Sequence, residues 1–169
     1  NSIRLLKKYL ILIGADFYIN SFQGEDTLVK LLRSLKGEFS LNYIPNIFYK
    51  SGSTFEYTET VPEDNNLEEN MVDWSLFPKT MYKVVPIRTS MSCLFNCSFC
   101  SFKANYGEYK DVTIKAIERE LDSINQMKSV QIVRFVDDTF NIPKKRFKEI
   151  LRLLARKQYH FNWISFLRC

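Results

Sequence analysis

The chain has 169 residues, of which 46% are hydrophobic and 15% aromatic, and its 24 basic and 19 acidic residues give a net charge of +5. This composition excludes a disordered tail and supplies enough apolar side chains for a sizeable core. No apolar run has the length of a membrane span and nothing resembles a signal peptide, so we expect a soluble, cytoplasmic protein. The first residue is Asn1 and an apolar run reaches almost to Cys169, so we expect a piece of a longer polypeptide.

Residues 1–60 are predicted to contain strands, one helix and a hairpin. The apolar run Tyr9–Ile13 predicts a buried strand, and Ala15–Ile19 predicts another. The helix that follows ends at Gly37, a residue suited to the left-handed position after a helix. Its apolar side is made of four leucines, Leu28, Leu31, Leu32 and Leu35. Two strand-like segments within residues 47–57 flank a Ser-Gly-Ser turn and predict the hairpin.

The next stretch, residues 61–80, is acidic and lacks periodicity, and we interpret it as a linker. From residue 81 to residue 169, strand-like and helix-like segments alternate. Strands are predicted at 83–88, 130–136 and 163–167, and helices at 113–128 and from Pro143 to about Gln158. Because the connections are short, this order favours right-handed crossovers and a parallel sheet.

The helix that starts at Pro143 carries most of the basic excess of the chain. Its basic side chains fall on the faces opposite its apolar stripe. A solvated outer face explains this pattern better than a nucleic-acid footprint, because no aromatic side chains are interleaved for base stacking. We therefore expect neither a nucleic acid nor a membrane as a partner.

Three cysteines, Cys93, Cys97 and Cys100, lie within eight residues just after the first strand of this second half. Three thiolates on a short loop can hold three irons of a four-iron cluster and leave the fourth iron open. The alternative is structural zinc, which needs four ligands, usually as two cysteine pairs. No second pair exists, and the other candidate ligands, Cys169 and His160, lie at least sixty residues further along. The spacing favours the iron–sulfur interpretation and leaves zinc as the alternative.

Polar groups follow each of the three predicted strands of the second half. The cysteine loop follows the first, Asp137 and Asp138 follow the second, and Arg168 follows the third. Ligands gather at the carboxyl ends of parallel strands, so we expect these groups at one rim. Side chains alternate across a strand, so only one of the two aspartates is expected to face a site. The competing interpretation makes the aspartates turn residues and Arg168 a surface residue.

The spacing Cys-x3-Cys-x2-Cys, with Phe99 before the last cysteine, resembles the motif of the radical S-adenosylmethionine (radical SAM) enzymes. The run Phe135-Val-Asp-Asp-Thr-Phe140 is similar to the sequence after the second strand of the cobalamin-binding members. Gln23-Gly-Glu25 and Ile44-Pro45 resemble the last part of the cobalamin-binding domain that precedes the barrel in many of these enzymes. Two departures leave the subfamily open, since Met91-Ser-Cys93 replaces an Arg-Gly-Cys sequence and Leu94 replaces a proline.

The resemblance implies an α/β fold with two domains. Residues 1–60 would be the C-terminal part of a Rossmann-like cobalamin-binding domain with its hairpin. Residues 81–169 would be the N-terminal half of a partial (β/α)6 radical SAM barrel, similar to a TIM barrel. No residue of this chain is expected to ligate cobalt, because the usual loop would lie upstream of Asn1.

The resemblance also implies an activity and a set of cofactors. Cys93, Cys97 and Cys100 would bind a 4Fe-4S cluster, and Phe99, Asp137, Asp138 and Arg168 would contact SAM. The enzyme would reductively cleave SAM to a 5'-deoxyadenosyl radical and would use cobalamin, and methyl transfer is a candidate for its reaction. It would draw electrons from a flavodoxin-type or ferredoxin-type donor and act on an unidentified small molecule or peptide. The alternative function is a non-catalytic zinc module, structural or nucleic-acid-binding.

Overall fold

The computed structural model describes residues 9–78 and 82–169. The chain divides into two compact units, one up to Asn65 and one from Asn66 onward. Within the described ranges, every helix is too short or too polar to span a bilayer.

The first unit is built around an antiparallel sheet of three strands, β1 (Phe17–Ile19), β2 (Ile47–Ser51) and β3 (Thr54–Tyr57), in that spatial order. β2 and β3 form the predicted hairpin, and the turn between them places Gly52 at φ 60°, a conformation that suits glycine. Helix α1 (Glu25–Leu35) follows β1, and Gly37 adopts φ 87° after it, as predicted.

Residues 9–13, predicted as a buried strand, are helical instead. Leu10 is buried against Phe48 and Phe55, whereas the other four side chains are more than half exposed. The prediction was wrong because five consecutive apolar residues have no period that separates a strand from a helix.

Helix α1 forms where the periodicity predicted it, but less of its apolar side is buried than the pattern indicated. Leu31 is buried with Ile44 and Ile47. The other three leucines are between 47% and 57% exposed. The spacing therefore predicted the helix and did not predict which leucines are covered.

The stretch predicted as a linker contributes to both units. Leu67 and Trp74 are buried in the core of the second unit. The carboxylate of Glu68 accepts a hydrogen bond from the backbone N–H of Thr113 at 2.8 Å. The acidic residues of this stretch thus include acceptors for backbone amides, and Glu63 in the first unit is another.

Glu63 caps the N-terminus of helix α1. Its carboxylate accepts hydrogen bonds from the backbone N–H groups of Gly24 and Asp26, at 3.1 and 3.2 Å, and from the hydroxyl of Thr27. Burial alone would raise the pKa of Glu63. Hydrogen bonds from Thr27, Asn65 and the backbone outweigh that effect and hold this pKa below its usual value.

The second unit contains, in chain order, β4 (Val84–Ile87), β5 (Ser90–Met91), α2 (Phe102–Tyr106), β6 (Lys110–Asp111), α3 (Ile114–Asn125), β7 (Ile132–Phe135), α4 (Lys144–Lys157) and β8 (Asn162–Ser165). β4, β7 and β8 form a parallel sheet in that spatial order, with Val133 beside Val85 on one side and Trp163 on the other. β5 and β6 form a separate antiparallel pair. The predicted alternation of strands and helices and the parallel sheet are confirmed.

Alternating side chains of the parallel sheet form the core of this unit. Val85, Ile87, Val133 and Phe135 are at most 2% exposed, and they pack with the apolar stripes of α3 and α4. Because the three strands are parallel, the loops after β4, β7 and β8 leave the sheet at the same edge. That edge carries the cysteine loop.

We predict that Glu63→Gln weakens the N-terminus of α1 by about 1 kcal/mol at neutral pH, because a charged acceptor for its amides is lost. The lowered pKa means that Glu63 stabilises the fold above its unfolded-state value of 4.5, and that this contribution disappears as the pH falls through the lower folded-state pKa. Hydrogen exchange of residues 21–35, compared with the parent protein at each pH, measures the difference.

Glu59→Gln is the matched control, since Glu59 is an exposed acidic residue of the same unit. It is expected to leave the exchange of α1 unchanged. Equal protection of α1 in the Glu63→Gln variant and the parent at neutral pH would contradict the capping role.

Candidate metal centre

The three predicted ligands lie on the loop between β5 and α2. Cys93 and Cys97 are half-buried, Cys100 is exposed, and none of them forms a disulfide. The backbone N–H of Cys100 donates to the carbonyl of Cys97 at 3.0 Å, so these two cysteines share one tight turn. Across residues 9–78 and 82–169, no three Cys, His, Asp or Glu side chains are already gathered around one point where a metal ion would fit. The donor set itself, free thiols on one loop, suits an iron–sulfur cluster.

Asp137, which lies just after β7, holds the start of the cysteine loop. Its carboxylate accepts hydrogen bonds from the N–H and hydroxyl of Thr89, at 2.8 and 2.6 Å. It also accepts from the N–H and hydroxyl of Ser90, at 2.5 and 3.0 Å. Asp137 is 2% exposed, and both of its oxygens are occupied. In this structure the Asp137 carboxylate therefore anchors the start of the cysteine loop.

Arg146, on helix α4, also holds the backbone at the start of the cysteine loop. Its Nη2 donates to the carbonyl of Thr89 at 2.6 Å, and its Nε lies 3.3 Å from a carboxylate oxygen of Asp111. Arg146 is 8% exposed, so it is an exception to the solvated basic face predicted for this helix. At the other end of the helix, Lys157 pairs with Glu118 at 2.7 Å and Asp122 at 2.9 Å. Part of the basic charge of α4 is therefore paired with acidic residues of the same chain.

Two further contacts fix the backbone around the first cysteine. Ser92 adopts a left-handed conformation with φ 65°, which is uncommon for a residue other than glycine. Its hydroxyl donates to the carbonyl of Gly107 at 2.5 Å. The sulfur of Cys93 lies 3.6 Å from the hydroxyl oxygen of Thr139, in the loop after β7. The loop after β7 therefore contacts Cys93 directly.

The segment after β8 reaches the second cysteine. Arg168 and Asn141 exchange two hydrogen bonds through the Arg168 backbone, at 2.7 and 2.9 Å. The guanidinium of Arg168 lies 3.9 Å from the ring centre of Phe95, and its Nη1 is 3.4 Å from the sulfur of Cys97. The structure thus brings Arg168 to the rim as predicted, but onto the cysteine loop.

Asp138 and Phe99 are predicted site residues with exposed side chains. Asp138 is exposed where its neighbour Asp137 is buried, as the alternation of side chains predicts. Partial desolvation raises the pKa of Asp138, and the nearby charge of Asp137 raises it further. Phe99 is 91% exposed, so it is not a core aromatic beneath the loop.

The candidate fourth ligands for zinc are placed elsewhere. His160 has its Nδ1 2.7 Å from the side-chain oxygen of Asn125 and its Nε2 3.0 Å from the carbonyl of Val130. Both ring nitrogens are therefore engaged by the protein. Cys169 is exposed and has no disulfide partner.

Several residues of this site escaped sequence reasoning. Thr89 and Ser90 look like ordinary residues before a motif, and Arg146 is one of many basic residues in its helix. Phe95 and Asn141 lie in loops without periodicity. Only the placement of loop residues in space distinguishes these side chains from their neighbours.

Comparison with known proteins finds similarity to a protein family and to several proteins. Residues 87–167 match the model of the Radical SAM superfamily. An uncharacterized methyltransferase of Pyrococcus horikoshii is 27% identical over 150 residues, which are 85% of this chain and 33% of that protein. The anaerobic magnesium-protoporphyrin IX monomethyl ester cyclase of Synechocystis is 22% identical over 159 residues, or 90% of this chain and 32% of that protein. The chain spans about a third of the length of these two curated relatives.

A solved structure shares the fold. It is that of TsrM, a radical SAM methyltransferase from Kitasatospora setae, with cobalamin and a [4Fe-4S] cluster bound. The similarity has a TM-score of 0.57 at 14% identity and covers 88% of this chain and 31% of that one. The second unit, residues 66–169, is less than 88% of the chain, so the similarity also covers part of the first unit.

We predict that Asp137→Ala destabilises the second unit by about 3 kcal/mol, because it leaves buried donors of Thr89 and Ser90 without an acceptor. Asp137→Asn is expected to cost less, since it keeps one acceptor oxygen. Urea unfolding followed by the fluorescence of the buried Trp74 measures both.

The matched control is Asp138→Asn, the same substitution at the exposed neighbour. A change of no more than about 0.5 kcal/mol is expected there. If Asp137→Ala were as mild as this control, the carboxylate would not be the anchor of the loop.

Proposed function

Because residues 87–167 match the model of the Radical SAM superfamily, we propose that the protein is a radical SAM enzyme whose 4Fe-4S cluster is held by Cys93, Cys97 and Cys100. The observation that carries the proposal is a loop with three free thiols at the carboxyl edge of a parallel sheet. Three ligands leave one iron of a cluster open for a small molecule. The reaction that the cluster supplies, when bound, is reductive cleavage of SAM to a 5'-deoxyadenosyl radical.

The residues of this chain would hold and orient the cofactors. The three thiolates bind iron, and the Asp137 carboxylate fixes the backbone from which their loop starts. Asp138 is exposed at the same rim, and its carboxylate suits the ammonium or a ribose hydroxyl of SAM. The exposed ring of Phe99, next to the last ligand, suits an adenine ring.

We further propose that the first unit is the end of a cobalamin-binding domain and that residues 81–169 are the first half of a partial barrel. The fold shared with TsrM extends into the first unit, and TsrM was solved with cobalamin bound. Methyl transfer is the proposed reaction, since TsrM and the Pyrococcus relative are both described as methyltransferases. The cobalt ligand and the substrate pocket are assigned to no residue of this chain.

The free thiols bear on the cellular compartment of the enzyme, and its need for a reductant bears on its electron donor. We propose that it works in the cytoplasm, where thiols stay reduced, and that a flavodoxin-type or ferredoxin-type protein delivers its electron. The basic residues of α4 do not favour a nucleic-acid partner, because several of them pair with α3 or are buried.

The test is anaerobic reconstitution of the complete polypeptide with iron and sulfide. We predict about four irons per chain and a reduced-state electron paramagnetic resonance (EPR) spectrum that changes when SAM is added. Addition of dithionite and SAM is expected to yield 5'-deoxyadenosine or, if methyl transfer dominates, S-adenosylhomocysteine.

Alanine variants of the cysteines provide the controls. Cys93→Ala, Cys97→Ala and Cys100→Ala are each expected to lose the SAM-dependent spectral change and the cleavage of SAM. Cys169→Ala, at a free and exposed cysteine outside the set, is expected to behave like the parent. Stoichiometric zinc, with no spectral response to SAM, would instead support the zinc-module alternative.

A further inference from the structure

The end of the third strand is tied to the loop after the second strand. The backbone N–H of Phe140 donates to the carbonyl of Phe166 at 3.1 Å. The Asn141 side chain then accepts from the N–H of Arg168 at 2.9 Å and donates to its carbonyl at 2.7 Å. These three bonds fix the backbone on both sides of Leu167, so the position of the Arg168 side chain is set by the sheet edge.

From this backbone the guanidinium of Arg168 makes two contacts with the cysteine loop. Its central carbon lies 3.9 Å from the ring centre of Phe95, a distance at which a cation is attracted by the aromatic face. Its Nη1 lies 3.4 Å from the sulfur of Cys97, within hydrogen-bonding distance for a sulfur acceptor. Phe95 and Cys97 are two residues apart, so one planar group engages both sides of the same short segment.

We propose that Arg168 is a positioning residue for the iron–sulfur cluster: it holds the Cys97 sulfur and stabilises the reduced cluster by donating a hydrogen bond to that sulfur. This inference rests on the proposed function, since it concerns the cluster that Cys93, Cys97 and Cys100 would bind. It gives Arg168 a role other than the contact with SAM that the resemblance implies.

The physical basis is the charge that reduction adds. A reduced cluster is more negative by one charge, and that charge is shared by the ligand sulfurs. A hydrogen-bond donor or a cation at a ligand sulfur therefore stabilises the reduced form more than the oxidised form and raises the reduction potential. Arg168 supplies both a donor and a permanent positive charge.

Arginine is required for this geometry because of its shape. The planar guanidinium can lie against the face of Phe95 and still direct an N–H at the sulfur of Cys97. A lysine ammonium carries the same charge as a single point, without a plane that stacks. Lysine at this position is therefore expected to keep the charge effect and to lose the fixed direction of the donor.

The chain offers a matched control. Arg134, on β7, also lies over a phenylalanine, with its central guanidinium carbon 5.4 Å from the ring centre of Phe166. No contact between Arg134 and the cysteine loop is present in the described ranges. Removing the Arg134 charge tests whether the loss of any arginine from this domain shifts the potential.

The experiment is a redox titration of the reconstituted complete polypeptide, followed by the EPR signal of the reduced cluster, with iron content measured for each variant. Arg168→Gln is expected to weaken the stabilisation of the reduced cluster about tenfold, which is a shift of about 59 mV to more negative potential for one electron. Arg168→Lys is expected to shift less in the same direction. Arg134→Gln is expected to match the parent.

The outcomes separate this inference from the proposed function. If the parent protein binds no cluster, the proposed function fails. If the parent and Arg168→Gln both bind a full cluster at the same potential, the role of Arg168 is overturned while the proposed function stands. A shift of equal size in Arg134→Gln would likewise overturn it, because the effect would then be one of net charge.

A second variant covers the case in which Arg168→Gln binds no iron. Phe95→Leu keeps the guanidinium and removes the aromatic face that orients it. We expect this variant to retain its cluster, with a smaller shift to more negative potential than full loss of the donor would give. An unchanged potential in Phe95→Leu, together with an unchanged potential in Arg168→Lys, would overturn the inference.

Discussion

The cysteine loop depends on one buried carboxylate, that of Asp137. Donors on two consecutive residues after β4, Thr89 and Ser90, converge on an acceptor just after β7. β4 and β7 are parallel neighbours, so their main-chain pairing aligns the strands but ends where the loops begin. The carboxylate extends this link into the loops. It fixes the direction in which the chain leaves β4, and the first cysteine follows only three residues after Ser90.

Burying this carboxylate has a cost that its hydrogen bonds offset. Asp137 is 2% exposed, and a charge in such a place destabilises a fold unless donors surround it. Thr89 supplies two donors, and its own carbonyl accepts from the nearly buried Arg146. The result is a polar network beside an apolar core, in which Arg146 donates to Thr89 and Thr89 donates to Asp137. Such a network favours one arrangement of the loop over others.

The other two strand ends add to the same rim. Thr139, after β7, lies beside the sulfur of Cys93, and Arg168, after β8, lies beside that of Cys97. Each of these two cysteines is therefore contacted by a different strand's loop, while Cys100 is exposed on the turn it shares with Cys97. Loops at the rim therefore contact the sulfurs of Cys93 and Cys97, whereas Cys100 is exposed.

Sequence reasoning predicted the parts of this arrangement that depend on periodicity or spacing. Hydrophobic repeats were sufficient for α3, α4 and the three parallel strands, and spacing was sufficient to single out the three cysteines. Alternation along β7 indicated that one aspartate of the pair faces away, but it could not tell which one forms buried hydrogen bonds. The role of Asp137 depends on donors 47 and 48 residues away, and no local pattern encodes that pairing.

The failures elsewhere have similar physical reasons. Tyr9–Ile13 is too short and too uniformly apolar for its period to be read, and it is helical. The acidic stretch around Glu63 was interpreted as a linker from its composition, which could not show that this carboxylate caps a helix nearly forty residues earlier in the chain. Charge and composition describe what a segment can do. Its partners are set by the tertiary fold.

Three thiolates of one anchored loop are proposed to bind a cluster with one open iron. Mössbauer spectroscopy of the complete polypeptide, reconstituted with ⁵⁷Fe, tests it most directly because each iron site contributes its own signal. We expect one iron site distinct from the other three, and a change of that site alone when SAM is added. Four equivalent irons with no response to SAM, or a protein that binds only zinc, would contradict it.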